Sequence, residues 1–175
     1  MSDPFRLQRF LDAQAKCYPE VVAELRAGRK RTHWMWFVFP QIAGLGLSPT
    51  SVFYALGSLE EARAYADHGE LGPRLRECAG LVRAVDGRTA REIFGDIDAL
   101  KFRSSMTLFA LARPEEGVFA ACLDKYFGGE SDPATLAKVQ SLAARALGCR
   151  QIALCRSVAE MSSPLKRRGA FIVRA

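Results

Sequence analysis

The sequence predicts an all-α fold, a compact, multihelical, bundle-like single domain with a basic C-terminal tail. Three kinds of observation lead there. Apolar residues recur at helical spacing, helix starts carry cap-plus-proline or capping-box signatures, and the turns between them are short enough to pack helices side by side.

Asp3-Pro4, a cap residue followed by proline, marks the first helix, with Leu7, Phe10, Leu11, Ala15 and Tyr18 as its apolar face. Pro19 starts a short second helix carrying Val21, Val22 and Leu25, which Gly28 ends in the manner of a glycine just past a C-cap. The basic link Arg29-Lys30-Arg31 follows.

His33-Trp34-Met35-Trp36-Phe37-Val38-Phe39 is apolar on every side, so periodicity does not decide between buried helix and strand. Composition leans toward strand, whereas length and setting lean toward a short helix capped by Thr32 and ended by Pro40. Ser48-Pro49 opens a helix carrying Val52, Phe53 and Leu56. Ser58 with Glu61, and Thr89 with Glu92, read as capping boxes, in which each side chain satisfies a free backbone N–H. Leu71, Leu75, Cys78, Val82 and Val85 form one long stripe, and Ile97, Leu100, Leu108 and Leu111 form the next. A helix over Val118 to Phe127 and a last start at Asp132-Pro133 complete the domain, taken as residues 1–139.

Residues 140–175 are rich in Ala, Arg and Ser and read as a tail, either partly disordered or carrying a short helix around Leu142 to Leu147. Through Val139 there are 18 Lys plus Arg and 18 Asp plus Glu, so the net charge of +6 belongs to the tail. Nucleic-acid binding is therefore not expected of the domain and is open only to the tail, as salt-sensitive, unspecific affinity. The odd set Cys17, Cys78, Cys122, Cys149 and Cys155 contains no C-x-x-C pair. That set suits a reducing compartment, so the cytoplasm is expected. The charged N-terminus does not read as a signal peptide, and Trp34 to Pro40 is too short to cross a membrane.

No complete catalytic or cofactor motif is present. His33 and His68 lie far apart without metal-ligand spacing, so no metal is expected. Paired carboxylates of the glycosidase kind are not evident, Ser104-Ser105 lacks a nucleophile elbow, and Gly44-Leu45-Gly46 is a fragment of a nucleotide fingerprint.

What remains is a set of polar side chains within or beside apolar arcs. Gln14 lies between Phe10 and Tyr18, and Arg74 flanks the Leu71 stripe. Lys101 and Ser104 fall on the Ile97 to Leu111 face, and His33 and Gln41 border the aromatic run. Buried polar groups must be bonded, so each is either structural or part of a site. On the wheels no carboxylate shares their arcs, a composition that suits an anion.

The run Lys30 to Gln41 resembles a bacterial family catalogued as domain of unknown function 1810. So do Gly44-Leu45-Gly46-x-Ser48, Tyr54, Leu71-Gly72-x-Arg74-Leu75, Phe94-Gly95-x-x-Asp98-x-x-Lys101 and Ser104-Ser105-Met106-Thr107-Leu108-Phe109. The resemblance covers roughly Phe5 to Val139 and implies a small, cytoplasmic, multihelical protein, which tips the aromatic run toward helix. It implies no activity. Some members are labelled calpastatin, but calpastatin-like inhibitors are long disordered repeats, a composition absent here.

Two functional readings follow. In the first, Lys101 and Arg74 hold a small phosphate- or carboxylate-bearing ligand, Trp34 or Trp36 stacks on it, Gln14, Gln41 and Ser104 complete the pocket, and His33 is a candidate proton carrier. In the second, the domain is a non-catalytic interaction or inhibitor module whose polar network fixes helix register. No cofactor is called for by either.

Overall fold

The computed structural model describes residues 3–145, whose regular secondary structure is helical. Helices occupy Gln8–Ala15 (α1), Tyr18–Arg26 (α2), Met35–Val38 (α3), Pro49–Phe53 (α4), Leu59–Asp67 (α5), Leu71–Ala84 (α6), Ala90–Phe94 (α7), Asp96–Ala112 (α8) and Gly117–Phe127 (α9), and 133–145 is helical as well. Among the described residues there is no strand, only an isolated parallel bridge between Ile42 and Leu56. No helix there is long and apolar enough to cross a membrane. By contacts the chain divides into one unit ending at Ser141 and another beginning at Leu142, of which only 142–145 are described. Helical structure thus runs past Val139. The remaining tail positions, with most of their cations, lie outside the described residues.

The cap signatures work largely as the sequence indicates. Ser48 accepts from the Ser51 N–H and Ser58 from the Glu61 N–H, while Thr89 and Glu92 make a full reciprocal capping box. At Ser58 the return bond is missing because Glu61 turns instead to the Gly57 N–H and to Arg9. Asp3 accepts from the N–H groups of Leu7 and Gln8 at 2.8 and 2.9 Å, so the cap is real but α1 begins later than Asp3-Pro4 suggests.

The middle of the unit is α8, which α3, α5, α7 and α9 all touch, while α6 packs on α2, α3, α5 and α9. The stripe expected for α8 needs correction. Ile97 and Leu100 are 72% and 63% exposed and Leu111 is exposed too, whereas Phe102, Met106 and Phe109 are buried. Ser104 through Phe109 are buried without a break, so the helix has neighbours on every side there and no apolar period to read.

Its aromatic residues organise the core. Phe102 stacks on Phe94 at 4.9 Å and meets Phe39 edge-on at 5.0 Å, and Trp34 joins the same cluster through Phe39 and Phe94. Tyr65 packs between Phe10 and Phe109. Short α3 thus sits against both groups, with Met35 and Val38 fully inside.

Candidate functional site

Three polar networks surround α3 and the central helix, and they divide the residues singled out by the sequence. The first contains Gln14, which is 1% exposed. Its Nε2 donates to the Phe37 carbonyl at 2.7 Å and to Tyr65 Oη at 3.0 Å, and Tyr65 Oη donates to that same carbonyl. Arg74 Nη1 reaches Gln14 Oε1 at 3.4 Å, while its Nη2 pairs with Glu70 at 2.5 Å and its guanidinium lies 4.5 Å from the Tyr18 ring centre. Every polar end of Gln14 is used. Phe37 is the last turn of a four-residue helix, whose carbonyls have no helical partner, so the amide and phenol do there what a longer helix would do for itself.

The second network holds the other end of the aromatic run. Glu24, on α2 and 8% exposed, accepts from Arg31 N, Thr32 N, Thr32 Oγ1 and Trp34 Nε1 at 2.8 to 3.1 Å. Thr32 is not the helix cap the sequence suggests: its hydroxyl donates to this carboxylate, α3 begins only at Met35, and Trp34 stands at the cap position without a side-chain bond. Burial pushes the Glu24 carboxyl up, but the four donors outweigh it and hold the group below its ordinary value.

Beside it lies the third network. Lys30 Nζ is 2.7 Å from Asp98 Oδ2 and Lys101 Nζ is 2.6 Å from Asp98 Oδ1, with side-chain exposures of 8% for Lys30, 16% for Asp98 and 20% for Lys101. Lys101 Nζ also sits 4.6 Å from the centre of the half-buried Trp36 ring, and Lys30 Nζ lies 5.3 Å from that of Trp34. Local structure explains the meeting. Asp98 and Lys101 are three residues apart on the first turns of α8, and the Lys30 N–H donates to the Ile93 carbonyl at 2.7 Å, which pins the basic link against the end of α7. Burial raises the Asp98 carboxyl, and the two ammonium groups more than offset this and hold it low.

The described chain, from residue 4 to 139, matches a family profile described as protein of unknown function DUF1810. The chain belongs to this family. It is also similar to a conserved hypothetical protein from Mycobacterium tuberculosis known from a crystal structure, with 61% identity, a TM-score of 0.76, and coverage of 77% of this chain and 96% of that one. No curated protein matches.

Within this DUF1810 chain the two cations expected to share an anion therefore bond to different carboxylates, Arg74 to Glu70 and Lys101 to Asp98. Ser104 belongs elsewhere again. Its single hydroxyl proton is shared between Leu100 O and Asp132 Oδ2, which also accepts from Thr135 and so caps the 133–145 helix. His33 is exposed, and Gln41 is half-buried with its carbonyl taken by the Leu56 N–H. An open groove of about 370 Å³ lies at another place, between Phe5, Arg6 and Arg9 and the exposed Val52 and Phe53. Arg9 is spent there on four backbone carbonyls and Glu61.

Sequence reasoning missed Lys30, Glu24 and Asp98. The signal for Asp98 was present, as the i, i+3 partner of Lys101. Nothing local announced that Lys30 would join them. Among the described residues no group of His, Cys, Asp and Glu has the form of a metal site.

Proposed function

We propose that this domain binds a small anion at the Lys30, Asp98 and Lys101 cluster, with Trp36 as its wall. One observation carries the reading. Two lysines with side chains 8% and 20% exposed share a single carboxylate, which leaves one positive charge in excess where water is scarce. At an effective dielectric of about 20, a unit charge 4 Å away interacts by about 4 kcal/mol, so a bound anion would offset much of that excess. The first turn of α8 adds partial positive charge from its free N–H groups. Arg74, Gln14 and Ser104, whose polar groups bond to other parts of the protein, stand outside this site and fit the structural account.

The test is a titration of the full chain with phosphate, sulfate and acetate, followed by the indole N–H resonance of Trp36, assigned with Trp36→Phe. Saturable shifts that disappear in Lys101→Gln support the site. Shifts that persist unchanged in that variant, or that appear only at residues away from Trp36, overturn it.

A further inference from the structure

We infer that the open groove lined by Arg6 and Phe53 docks a segment of another protein that carries an apolar side chain beside a carboxylate. The groove shares no residue with the lysine cluster, so this inference stands or falls apart from the anion site. Phe5 and Arg6, from the segment before α1, and Val52 and Phe53, from the end of α4, line about 370 Å³ of space. Val52 and Phe53 are 62% and 50% exposed, so the same groove holds uncovered hydrocarbon. Its frame is fixed in advance. The Arg9 guanidinium donates to the carbonyls of Phe5, Arg6, Phe53 and Ala55 and to Glu61 Oε1, at 2.6 to 3.2 Å, and so ties the segment before α1 to the end of α4. Little ordering is then left for a partner to impose.

The chemistry of the occupant follows from which polar groups of the lining are still unspent. Five bonds use all the donors of Arg9, and Glu61 gives its second oxygen to the Gly57 N–H. Asp3, on the same segment, turns its two oxygens to the N–H groups of Leu7 and Gln8 and makes no ion pair with Arg6. The Arg6 side chain alone among these forms no hydrogen bond or ion pair with any described residue. Arg6 is also held at φ +54, a left-handed backbone rare for a side-chain-bearing residue, by its N–H on Asp3 O and its carbonyl on Arg9. A planar set of free donors beside aromatic and branched hydrocarbon matches a carboxylate next to an apolar side chain. Openness decides between a small molecule and a protein. Sites for small molecules enclose about 70% or more of the ligand, whereas an open groove suits a segment whose back is covered by its own protein. Aromatic residues with arginine are the usual anchors of such contacts.

The experiment probes an immobilised library of short random peptides with the full chain and, in parallel, with Arg6→Glu and Phe53→Ser. Wild type is expected to retain peptides with leucine or phenylalanine beside aspartate or glutamate. Arg6→Glu should retain lysine- and arginine-bearing peptides instead, an exchange that a merely structural role for Arg6 does not produce. A retained acidic peptide, titrated by fluorescence anisotropy, should bind each variant about tenfold or more weakly, as loss of a charge-assisted bond or of a buried aromatic contact requires. Circular dichroism checks that the variants fold. Should Arg6→Glu not fold, Arg6→Gly removes the cation and suits φ +54, so the same loss of affinity is expected of it. Retention of no peptide, an unchanged set on Arg6→Glu, or affinity indifferent to Phe53→Ser would each overturn the inference. So would 4-methylpentanoate binding as tightly as the best peptide, which would make the groove a small-molecule site.

Discussion

Asp98→Asn separates the structural from the ligand-binding role of the lysine cluster. The substitution keeps shape but removes the charge that two ammonium groups share at 2.7 and 2.6 Å. Charge-assisted bonds contribute about 1.5 to 3 kcal/mol each, and the amide oxygen retains one neutral bond of about 1 kcal/mol, so the loss is about 3 kcal/mol. For a body of this size that lowers the melting temperature by roughly 6 to 12 °C, measured by circular dichroism. The pH dependence has a definite sign. Asp98 titrates below its ordinary 3.8 in the folded chain, so its contribution is complete above that value and disappears as pH falls through the folded one. Wild type and variant should thus differ fully at neutral pH and converge in strong acid. The ligand arm is sharper: without Asp98 the site carries two positive charges, and a dianion becomes the better match. Phosphate at about one hundred times its dissociation constant should restore about 2.7 kcal/mol to the variant and much less to wild type. A variant within about 1 kcal/mol of wild type, against the estimate from charged bonds, refutes the energetic argument. Equal stabilisation of both proteins by phosphate refutes the charge count.

Other substitutions test the frame around the site. Glu24→Gln leaves at least one oxygen's donors facing an amide NH2, so about 2 to 4 kcal/mol should be lost in urea unfolding, with red-shifted tryptophan emission as Trp34 loosens. Unchanged emission would show that Glu24 does not hold the indole. Gly72→Ala places a methyl group 2.0 Å from the Ala66 carbonyl oxygen, so α6 must shift. The expected cost is about 3 kcal/mol, and a loss below about 1 kcal/mol in the same assay would contradict the close approach. In a Cys149→Ser, Cys155→Ser background, Cys17 should react with a disulfide reagent far faster than Cys78 and Cys122, whose thiols burial pushes up to about 12. Comparable rates for all three would show that the core opens easily.

The helix starts were legible because capping is local. Ser48, Ser58, Thr89 and Asp132 each act within three residues of themselves, and no distant contact changes the outcome. Thr32 shows the limit. It has the same chemistry, but Glu24 on α2 binds both its N–H and its hydroxyl and α3 begins two residues later than a Thr32 cap would place it, a contact between elements that is invisible to a local pattern. The central helix was misread for a different reason. Ile97, Leu100, Leu108 and Leu111 make a regular stripe, yet the chain buries Phe102, Met106 and Phe109 instead and leaves three members of that stripe exposed. A helix enclosed on all sides along its middle carries no preference for one face, so an exposed stripe at its ends dominates the periodicity.

That exposed stripe also explains how the site was misread. Lys101 was assigned inward from a stripe that points outward, and its ammonium is part-buried only because Trp36 and Asp98 come to it from the side. On a wheel Asp98 stands about 60° from Lys101, outside a narrow arc but well within the reach of two flexible side chains. Arcs therefore cannot set the charge of a site. Pairs set it, and Lys30 enters the pair from a link that no periodicity describes, held by the end of α7. Had Lys30 remained in solvent, Asp98 and Lys101 would form an ordinary neutral i, i+3 pair with nothing left to attract. Its arrival turns a balanced pair into a cluster in which two ammonium groups share one carboxylate.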